Sequence, residues 1–105
     1  IEMKSIEVIE LKEKLKNKKM ILLDVREQYE IDIANIKGSL NIPMMEVPNR
    51  LSELKKEEIF AVMCHSGIRS AQVCNFLEMK GFTTYNVSGG IDKWSQDVDN
   101  KIKRY

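Results

Sequence analysis

Two short runs of uninterrupted apolar residues, Met20–Leu23 and Ile59–Met63, limit the folds that this chain can adopt. Runs of this kind are typical of strands that are covered on both faces, as strands are in parallel sheets. Segments with helical periodicity stand before and after them, among them Val8–Lys16 and Ala71–Lys80. Strands that alternate with helices predict an α/β fold in which a mainly parallel sheet has helices on both faces.

The same patterns predict the order of the elements along the chain. Strands are predicted at Lys4–Glu7, Met20–Leu23, Ser39–Ile42, Ile59–Met63 and Thr83–Val87, which makes a sheet of about five strands. Helices are predicted at Val8–Lys16, Glu27–Ile33, Ala71–Lys80 and Ile91–Val98, with one or two helical turns within Val47–Leu54. We expect Asn17 to end the first helix in a left-handed conformation, and Tyr29 and Ile33 to point inward from the second.

Composition and charge are those of an ordinary globular domain. The 105 residues, of which 43% are apolar and 31% charged, suffice for one domain, which we expect to span residues 1–105. A net charge of +1 gives no basis for binding nucleic acid or a membrane surface, and no apolar run approaches the length of a membrane span. The chain begins at Ile1, which leaves open whether it is processed, trimmed or a part of a longer protein.

The few histidines and cysteines limit the possible metal and disulfide chemistry. One histidine and two cysteines are too few ligands for a structural zinc site, so we predict no metal. The two cysteines could form one disulfide, but Cys64 is better explained as a free thiol in a reducing compartment, and we expect a cytoplasmic protein. Cys74 lies on an apolar helix face, where core packing is favoured over a role as a resolving thiol.

The segment Cys64–Ser70 connects a predicted buried strand to a predicted helix. A cysteine at this point faces unpaired backbone N–H groups and the positive end of the helix dipole, and both favour the thiolate over the thiol. The same groups bind an anion readily. We therefore predict that Cys64 is a catalytic nucleophile over an anion-sized pocket. The other residues of this active-site loop would line the pocket: His65, Ser66, Gly67, Ile68, Arg69 and Ser70.

The loop residues have separate predicted roles. Arg69 would either attract an anion or brace the loop, since a positive charge near the start of a helix opposes the dipole and suggests a function. His65 is expected to line the loop and to touch substrate. Gly67 would permit a backbone angle, or an approach to the sulfur, that a side chain would block. Ser66 and Ser70 are expected to line the pocket, and the alternative is that they only cap the helix, since Ser70 in particular suits helix initiation.

Asp24 and Arg26 follow the Met20–Leu23 strand, at the end of the sheet where open α/β folds place their chemistry. We interpret both residues as structural support of the loop rather than as substrate groups. The Asp24 carboxylate could accept loop N–H groups, and Arg26 lies one helical turn from Glu30.

The segment Cys64–Ser70 resembles the active-site loop of the rhodanese-like sulfurtransferases. Four residues separate Cys64 from Arg69, as in the sulfur-transferring branch, whereas the related phosphatases and arsenate reductases carry one residue more. Three further segments resemble family markers in the expected order: Leu23–Glu27, Gly38–Pro43, and Ser88–Gly90 followed by Trp94. The resemblance covers nearly the whole chain, although Ala34–Asn35 stands where the family usually has glycine and histidine.

This resemblance implies a rhodanese-like three-layer sandwich and a sulfurtransferase activity. The Cys64 thiolate would take the outer sulfur of thiosulfate or of a persulfide donor. The resulting Cys64 persulfide would be held by loop N–H groups from about Ser66 to Ser70 and would pass its sulfur to a thiol, a carrier protein or cyanide. These steps require no metal and no organic cofactor.

Two alternatives remain open. The chain could be a non-catalytic persulfide carrier or docking module for an enzyme of cofactor biosynthesis, because its tail, Val98–Tyr105, resembles that of rhodanese domains fused to adenylating enzymes. A sulfur-carrier or persulfide-donor protein would then be its partner. A phosphatase or arsenate reductase is less favoured, because the short gap between Cys64 and Arg69 suits a single sulfur atom better than an oxyanion.

Overall fold

The computed structural model describes residues 3–105, so the first two residues of the predicted domain lie outside it. Five strands in that part of the chain form one sheet: β1 (Ser5–Ile6), β2 (Ile21–Asp24), β3 (Leu40–Asn41), β4 (Ile59–Met63) and β5 (Thr83–Val87). Their order is β1-β5-β4-β2-β3, and every neighbouring pair is parallel. The helices are α1 (Val8–Lys16), α2 (Gln28–Ile33), α3 (Ile68–Met79) and α4 (Gly90–Asp97), and two 3-10 helices cover Met44–Asn49 and Leu51–Glu53. Within residues 3–105, none of the helices has both the length and the apolar character needed to cross a membrane.

Residues of the central strand β4 alternate between two buried apolar layers, one on each face of the sheet. Phe60 and Val62 belong to the layer formed with α3 and the first 3-10 helix, and Cys64 continues this alternation just after the strand. Ala61 and Met63 belong to the layer formed with α1 and α4. The predicted α/β fold, a parallel five-stranded sheet between helices, is therefore confirmed.

Helix α3 begins earlier than predicted, although α1, β4 and β5 have the predicted limits. It begins at Ile68 rather than at Ala71, because Gly67 directly before it takes a φ of 117°, a left-handed conformation that glycine adopts without steric cost. The alternative in which Ser66 and Ser70 only cap the helix is not supported. Gly67 is the N-cap residue, and Ser70 lies within the first turn with its hydroxyl toward the Cys64 sulfur.

The predicted orientation of α2 is also wrong. Tyr29 and Ile33 are 66% and 40% exposed, whereas Glu30 is buried. Polar contacts of the Glu30 carboxylate, described below, fix the rotation of this short helix, so its apolar side chains do not decide which face is inside.

The left-handed residue at the end of α1 is Lys18, with a φ of 56°, and not Asn17, whose φ is −88°. The N–H of Lys18 donates to the carbonyl oxygen of Leu15, and the next N–H along the chain donates to that of Lys14. These two bonds form a Schellman motif, which requires the left-handed conformation one residue later than we predicted.

Helix α4 begins at two glycines that bring its first turn against the end of β4. Gly89 and Gly90 have φ values of 78° and 59°. The N–H of Ile91 then donates to the carbonyl oxygen of Cys64 (3.0 Å), and the next N–H along α4 donates to that of His65 (3.1 Å). The start of α4 thereby fixes the backbone of the two residues that open the active-site loop.

An alanine at Gly90 should destabilise the protein more than an alanine at Gly38, which also has a positive φ. A Cβ at Gly90 would collide with the carbonyl oxygens of Cys64 and His65, whereas one at Gly38 would meet no atom within 4 Å. Gly38→Ala should therefore cost only backbone strain, about 1–2 kcal/mol of the free energy of unfolding. Gly90→Ala should cost at least about twice as much, because backbone atoms must move. Urea denaturation measures both free energies of unfolding. Equal losses of stability would contradict the close contact between the start of α4 and the carbonyl oxygens of Cys64 and His65.

Candidate active site

The sulfur atom of Cys64 lies beyond the carboxyl end of β4, shortly before the first turn of α3. The residue is buried, with 1% of its surface exposed. Its Sγ accepts the backbone N–H of Gly67 at 3.1 Å and lies 3.3 Å from the hydroxyl oxygen of Ser70. Because the left-handed Gly67 turns the chain at this point, the free N–H groups at the start of α3 point toward the sulfur.

The two cysteines of the chain differ in acidity. Burial raises the pKa of the Cys64 thiol, but hydrogen bonds from the Ser70 hydroxyl and from the N–H groups of Ser70, Gly67 and Ser66 outweigh burial, and the pKa falls below its ordinary value. Burial raises the pKa of Cys74 to about 11, and this residue packs in the core, as predicted. The thiolate form is therefore favoured at Cys64 and disfavoured at Cys74.

Ser70 links the sulfur to a polar residue of β5, Asn86. The Ser70 hydroxyl oxygen lies 2.6 Å from Asn86 Oδ1, and Asn86 Nδ2 donates to the carbonyl oxygen of Gly67 at 3.1 Å. A serine hydroxyl has one proton, so it donates to Asn86 or to the sulfur but not to both at once. This arrangement suits a cysteine that ionises, because donation of that proton to the sulfur would stabilise a negative charge there.

The remaining loop side chains form the outer surface of the site. Ser66 is exposed, His65 is half-buried, and Ile68 is 73% exposed. The predicted loop residues therefore divide into two groups. Gly67 and Ser70 contact the sulfur, whereas the side chains of His65, Ser66 and Ile68 are partly or fully exposed to solvent.

Arg69 joins the loop to helix α2 through a two-bond ion pair with Glu30. Its two Nη atoms donate to the two carboxylate oxygens at 2.6 and 2.8 Å. Arg69 lowers the pKa of Glu30 to about 2, and the Glu30 carboxylate raises the pKa of Arg69. Of the two predicted roles for Arg69, bracing is the one that this geometry provides.

Tyr105 lies across the outer side of the same ion pair. Its ring stacks on the His65 imidazole with centroids 4.1 Å apart and planes 13° apart. Its hydroxyl donates to Glu30 Oε2 at 2.8 Å and accepts from Arg26 Nη1 at 2.8 Å. Burial is the main cause that raises the pKa of Tyr105 to about 12, so the hydroxyl keeps the proton that it donates.

Asp24 and Arg26 support the loop indirectly. Both are fully buried, and within residues 3–105 the Asp24 carboxylate accepts only from the backbone and guanidinium of Arg26, not from the active-site loop as expected. The Arg26 guanidinium reaches the carbonyl oxygen of Glu30 (3.3 Å) rather than its carboxylate, and it also donates to the carbonyl oxygen of Ala34 (2.7 Å). Its link to the loop passes through the Tyr105 hydroxyl and the stacked His65 ring.

Sequence patterns do not single out three residues of this network: Glu30, Asn86 and Tyr105. Only Glu30 has a local signal, because it stands three residues after Glu27, the spacing of a capping box. The box is present, since each of the two carboxylates accepts the backbone N–H of the other residue. That spacing indicates that Glu30 faces the start of its helix rather than solvent.

Removing the Tyr105 hydroxyl should weaken the fold. Tyr105→Phe keeps the ring that stacks on His65 but loses two hydrogen bonds to charged groups, so we expect a loss of about 1–2 kcal/mol in the free energy of unfolding. Tyr105→Ala loses the ring as well and should cost about 1 kcal/mol more. Tyr29→Phe is the control. Because Tyr29 is 66% exposed, this substitution should change the free energy of unfolding by less than about 0.5 kcal/mol. Equal urea denaturation curves for Tyr105→Phe and Tyr29→Phe would contradict this network.

Comparison with known proteins gives a match over most of the chain. A family model described as Rhodanese-like domain matches residues 7–97. A Bacillus subtilis (strain 168) protein named "Putative sulfurtransferase YtwF" is 35% identical over 102 residues, which cover 96% of this chain and 99% of that protein. A second protein of the same strain, named "Putative sulfur carrier protein YrkF", is 37% identical over 75 residues, which cover 70% of this chain but only 40% of that protein.

A solved structure has the same fold over the full length. The crystal structure of a rhodanese-like domain protein from Staphylococcus aureus is 36% identical, with a TM-score of 0.85, and the match covers 98% of this chain and 99% of that one. Since the family model spans most of the chain and relatives of equal length share more than a third of its residues, the chain belongs to the rhodanese-like domain family.

Proposed function

We propose that this chain acts as a single rhodanese-like domain and is a sulfurtransferase that carries sulfur as a persulfide on Cys64. The observation that supports this best is the setting of Sγ, which faces the Gly67 N–H (3.1 Å) and the Ser70 hydroxyl (3.3 Å) at the start of α3. These donors favour the thiolate, which is the form of cysteine that attacks a sulfane sulfur. The names of two relatives, one a sulfurtransferase and one a sulfur carrier, agree with this class of chemistry.

In the first step, the Cys64 thiolate attacks the outer sulfur of thiosulfate or of a persulfide. A new S–S bond forms to Sγ while the S–S bond of the donor breaks, and sulfite or a thiolate leaves with the electron pair. In the second step, a thiol, a sulfur-carrier protein or cyanide attacks the outer sulfur and releases the Cys64 thiolate. Two half-reactions on one cysteine predict ping-pong kinetics.

The other loop residues bind and orient in this proposal. The N–H groups of Ser66, Gly67 and Ser70 stabilise negative charge on the sulfur, and they need no reorganisation because the loop and the first turn of α3 already hold them in place. His65 and Ile68 line the mouth through which donor and acceptor reach the sulfur. Neither step calls for a metal or an organic cofactor, and a free thiolate suits a reducing compartment such as the cytoplasm.

A persulfide carrier without its own turnover is the second candidate. The relative named as a sulfur carrier favours it, and this chain spans 40% of that protein. A carrier would load Cys64 once and deliver the sulfur to a partner protein, such as an enzyme of cofactor biosynthesis, rather than to a small acceptor. Both candidates use the same persulfide, so they differ only in the rate of the second step.

Intact mass of the reduced protein tests the persulfide. After exposure to thiosulfate or to a small persulfide, the parent protein should gain the mass of one sulfur atom, and cyanide should remove it. Cys64→Ser should gain nothing. Cys74→Ala is the matched control and should gain one sulfur like the parent, because the thiol of Cys74 is buried with a pKa of about 11.

The outcomes separate the candidates. Many turnovers of small acceptors would support the enzyme, whereas stable loading with slow release would support the carrier. An unchanged mass with both donors, or equal loading of Cys64→Ser, would overturn the proposal.

A further inference from the structure

Arg69 is the charged residue of the active-site loop, but its charge is matched by Glu30. Its two Nη atoms lie 2.6 and 2.8 Å from the two carboxylate oxygens. Glu30 is buried, and its carboxylate also accepts the N–H of Glu27 (3.1 Å) and the hydroxyl of Tyr105 (2.8 Å). The guanidinium cannot turn toward an anion at Cys64 without leaving a buried carboxylate short of its main partner.

Other cations in the segments around the site are matched by carboxylates as well. The pairs are Arg26–Asp24 (2.8 Å), Arg50–Glu53 (2.7 Å), Lys93–Asp97 (3.2 Å) and Arg104–Asp92 (2.8 Å). The groups seen to hydrogen-bond to the sulfur, the Gly67 N–H and the Ser70 hydroxyl, are neutral. The site therefore supplies polar donors without a net positive charge.

Apolar side chains are exposed at the start of α3 and on the first 3-10 helix, which packs against α3. Ile68, the first residue of α3, is 73% exposed, and Met45 on the first 3-10 helix is 77% exposed. A groove of about 190 Å³ runs between that 3-10 helix and α3, and Met45, Pro48 and Phe76 are among its walls. Such a surface suits the organic part of a sulfur donor better than the strongly hydrated oxygens of an oxyanion.

We infer that the sulfur donor of this site is an organic persulfide rather than thiosulfate, and that Glu30 determines this preference by neutralising Arg69. This inference rests on the proposed function and names the substrate class of the same site. Glu30 is a positioning residue here, since it acts through Arg69 and does not touch the reacting atoms.

The charge balance of the two loading reactions explains the preference. With thiosulfate, the Cys64 thiolate and S–SO₃²⁻ give a Cys64 persulfide anion and sulfite, so three negative charges meet beside a loop arginine whose charge Glu30 already matches. With a protonated persulfide R–S–SH, the thiolate gives Cys64–S–SH and R–S⁻, so one negative charge passes from Sγ to the leaving group. Neutral N–H and O–H donors suffice for the second reaction.

The salt dependence of loading tests this on the parent protein. The measured quantity is the single-turnover rate at which Cys64 gains one sulfur, followed by intact mass, between about 0.01 and 0.5 M ionic strength. The two probes are thiosulfate and the persulfide of N-acetylcysteine methyl ester, which carries at most one negative charge. Loading by thiosulfate should rise with salt because like-charge repulsion is screened, and loading by the persulfide should change much less.

Glu30→Gln leaves the Arg69 charge unmatched at nearly constant side-chain size. At low salt, its thiosulfate rate should exceed that of the parent by at least about tenfold and should fall as salt is added, whereas its persulfide rate should stay within about threefold. Glu53→Gln is the matched control. It removes the same charge from the exposed 3-10 helices, where Arg50 loses its contacts with Glu53 but keeps the one with Glu46 (3.0 Å), and it should leave the ratio of the two rates within about twofold.

Three results would overturn the inference. The first, a thiosulfate rate that falls with salt in the parent, would reveal an unmatched cation at Cys64, and this measurement does not depend on any variant folding. The second is an equal change of both donor rates in Glu30→Gln, or the same rate ratio in Glu30→Gln and Glu53→Gln. The third, no loading of parent Cys64 by either donor, would remove the proposed function itself, and the inference with it.

Discussion

The ion pair between Glu30 and Arg69 connects the parts of the molecule that shape the candidate site. It ties the first turn of α3 to α2, and Tyr105 adds a hydrogen bond to the same carboxylate while its ring stacks on His65. Arg69 lowers the pKa of Glu30 to about 2, below the ordinary value of a carboxyl group. The pair therefore stabilises the fold above the ordinary carboxyl pKa, and this contribution is lost as the pH falls toward 2. Because Arg69 is paired with Glu30, it braces the loop, and other groups donate the hydrogen bonds to the Cys64 sulfur.

The groups that donate hydrogen bonds to the Cys64 sulfur are neutral. The Gly67 N–H, at the N-cap of a twelve-residue helix, and the Ser70 hydroxyl, in its first turn, lie 3.1 and 3.3 Å from the Cys64 sulfur. Fixed dipoles of this kind stabilise a thiolate or a persulfide anion, and they do so without adding a full positive charge to the site. At Cys74, burial outweighs a hydrogen bond with Thr84 and raises the pKa of the thiol to about 11. The local surroundings therefore shift the pKa values of the two cysteines in opposite directions.

Sequence reasoning succeeds where the determinants are local. The uninterrupted apolar run Ile59–Met63 predicts the limits of β4, and the residues after it predict a cysteine loop that leads into a helix. It fails where contacts between residues distant in sequence determine the structure. Glu30 contacts Arg69, which is 39 positions away in the sequence, and Tyr105, which is 75 positions away. These contacts set the rotation of α2, so the prediction from its apolar pattern that Tyr29 points inward was wrong. The early start of α3 depends on the left-handed conformation of Gly67, which residue spacing alone does not reveal.

The ionisation of Cys64 tests the central claim most directly, because the first proposed step begins with the Cys64 thiolate and the second step regenerates it. The measurement is a pH titration of the cysteine ¹³Cβ signals by NMR in the folded protein and in urea, with Cys64→Ser to assign them. We predict that the Cys64 midpoint lies lower in the folded protein than in urea, and that Ser70→Ala moves the folded midpoint to higher pH. A folded midpoint at or above that of the unfolded chain would contradict the account, since the neutral donors around the sulfur would then not favour the nucleophilic form.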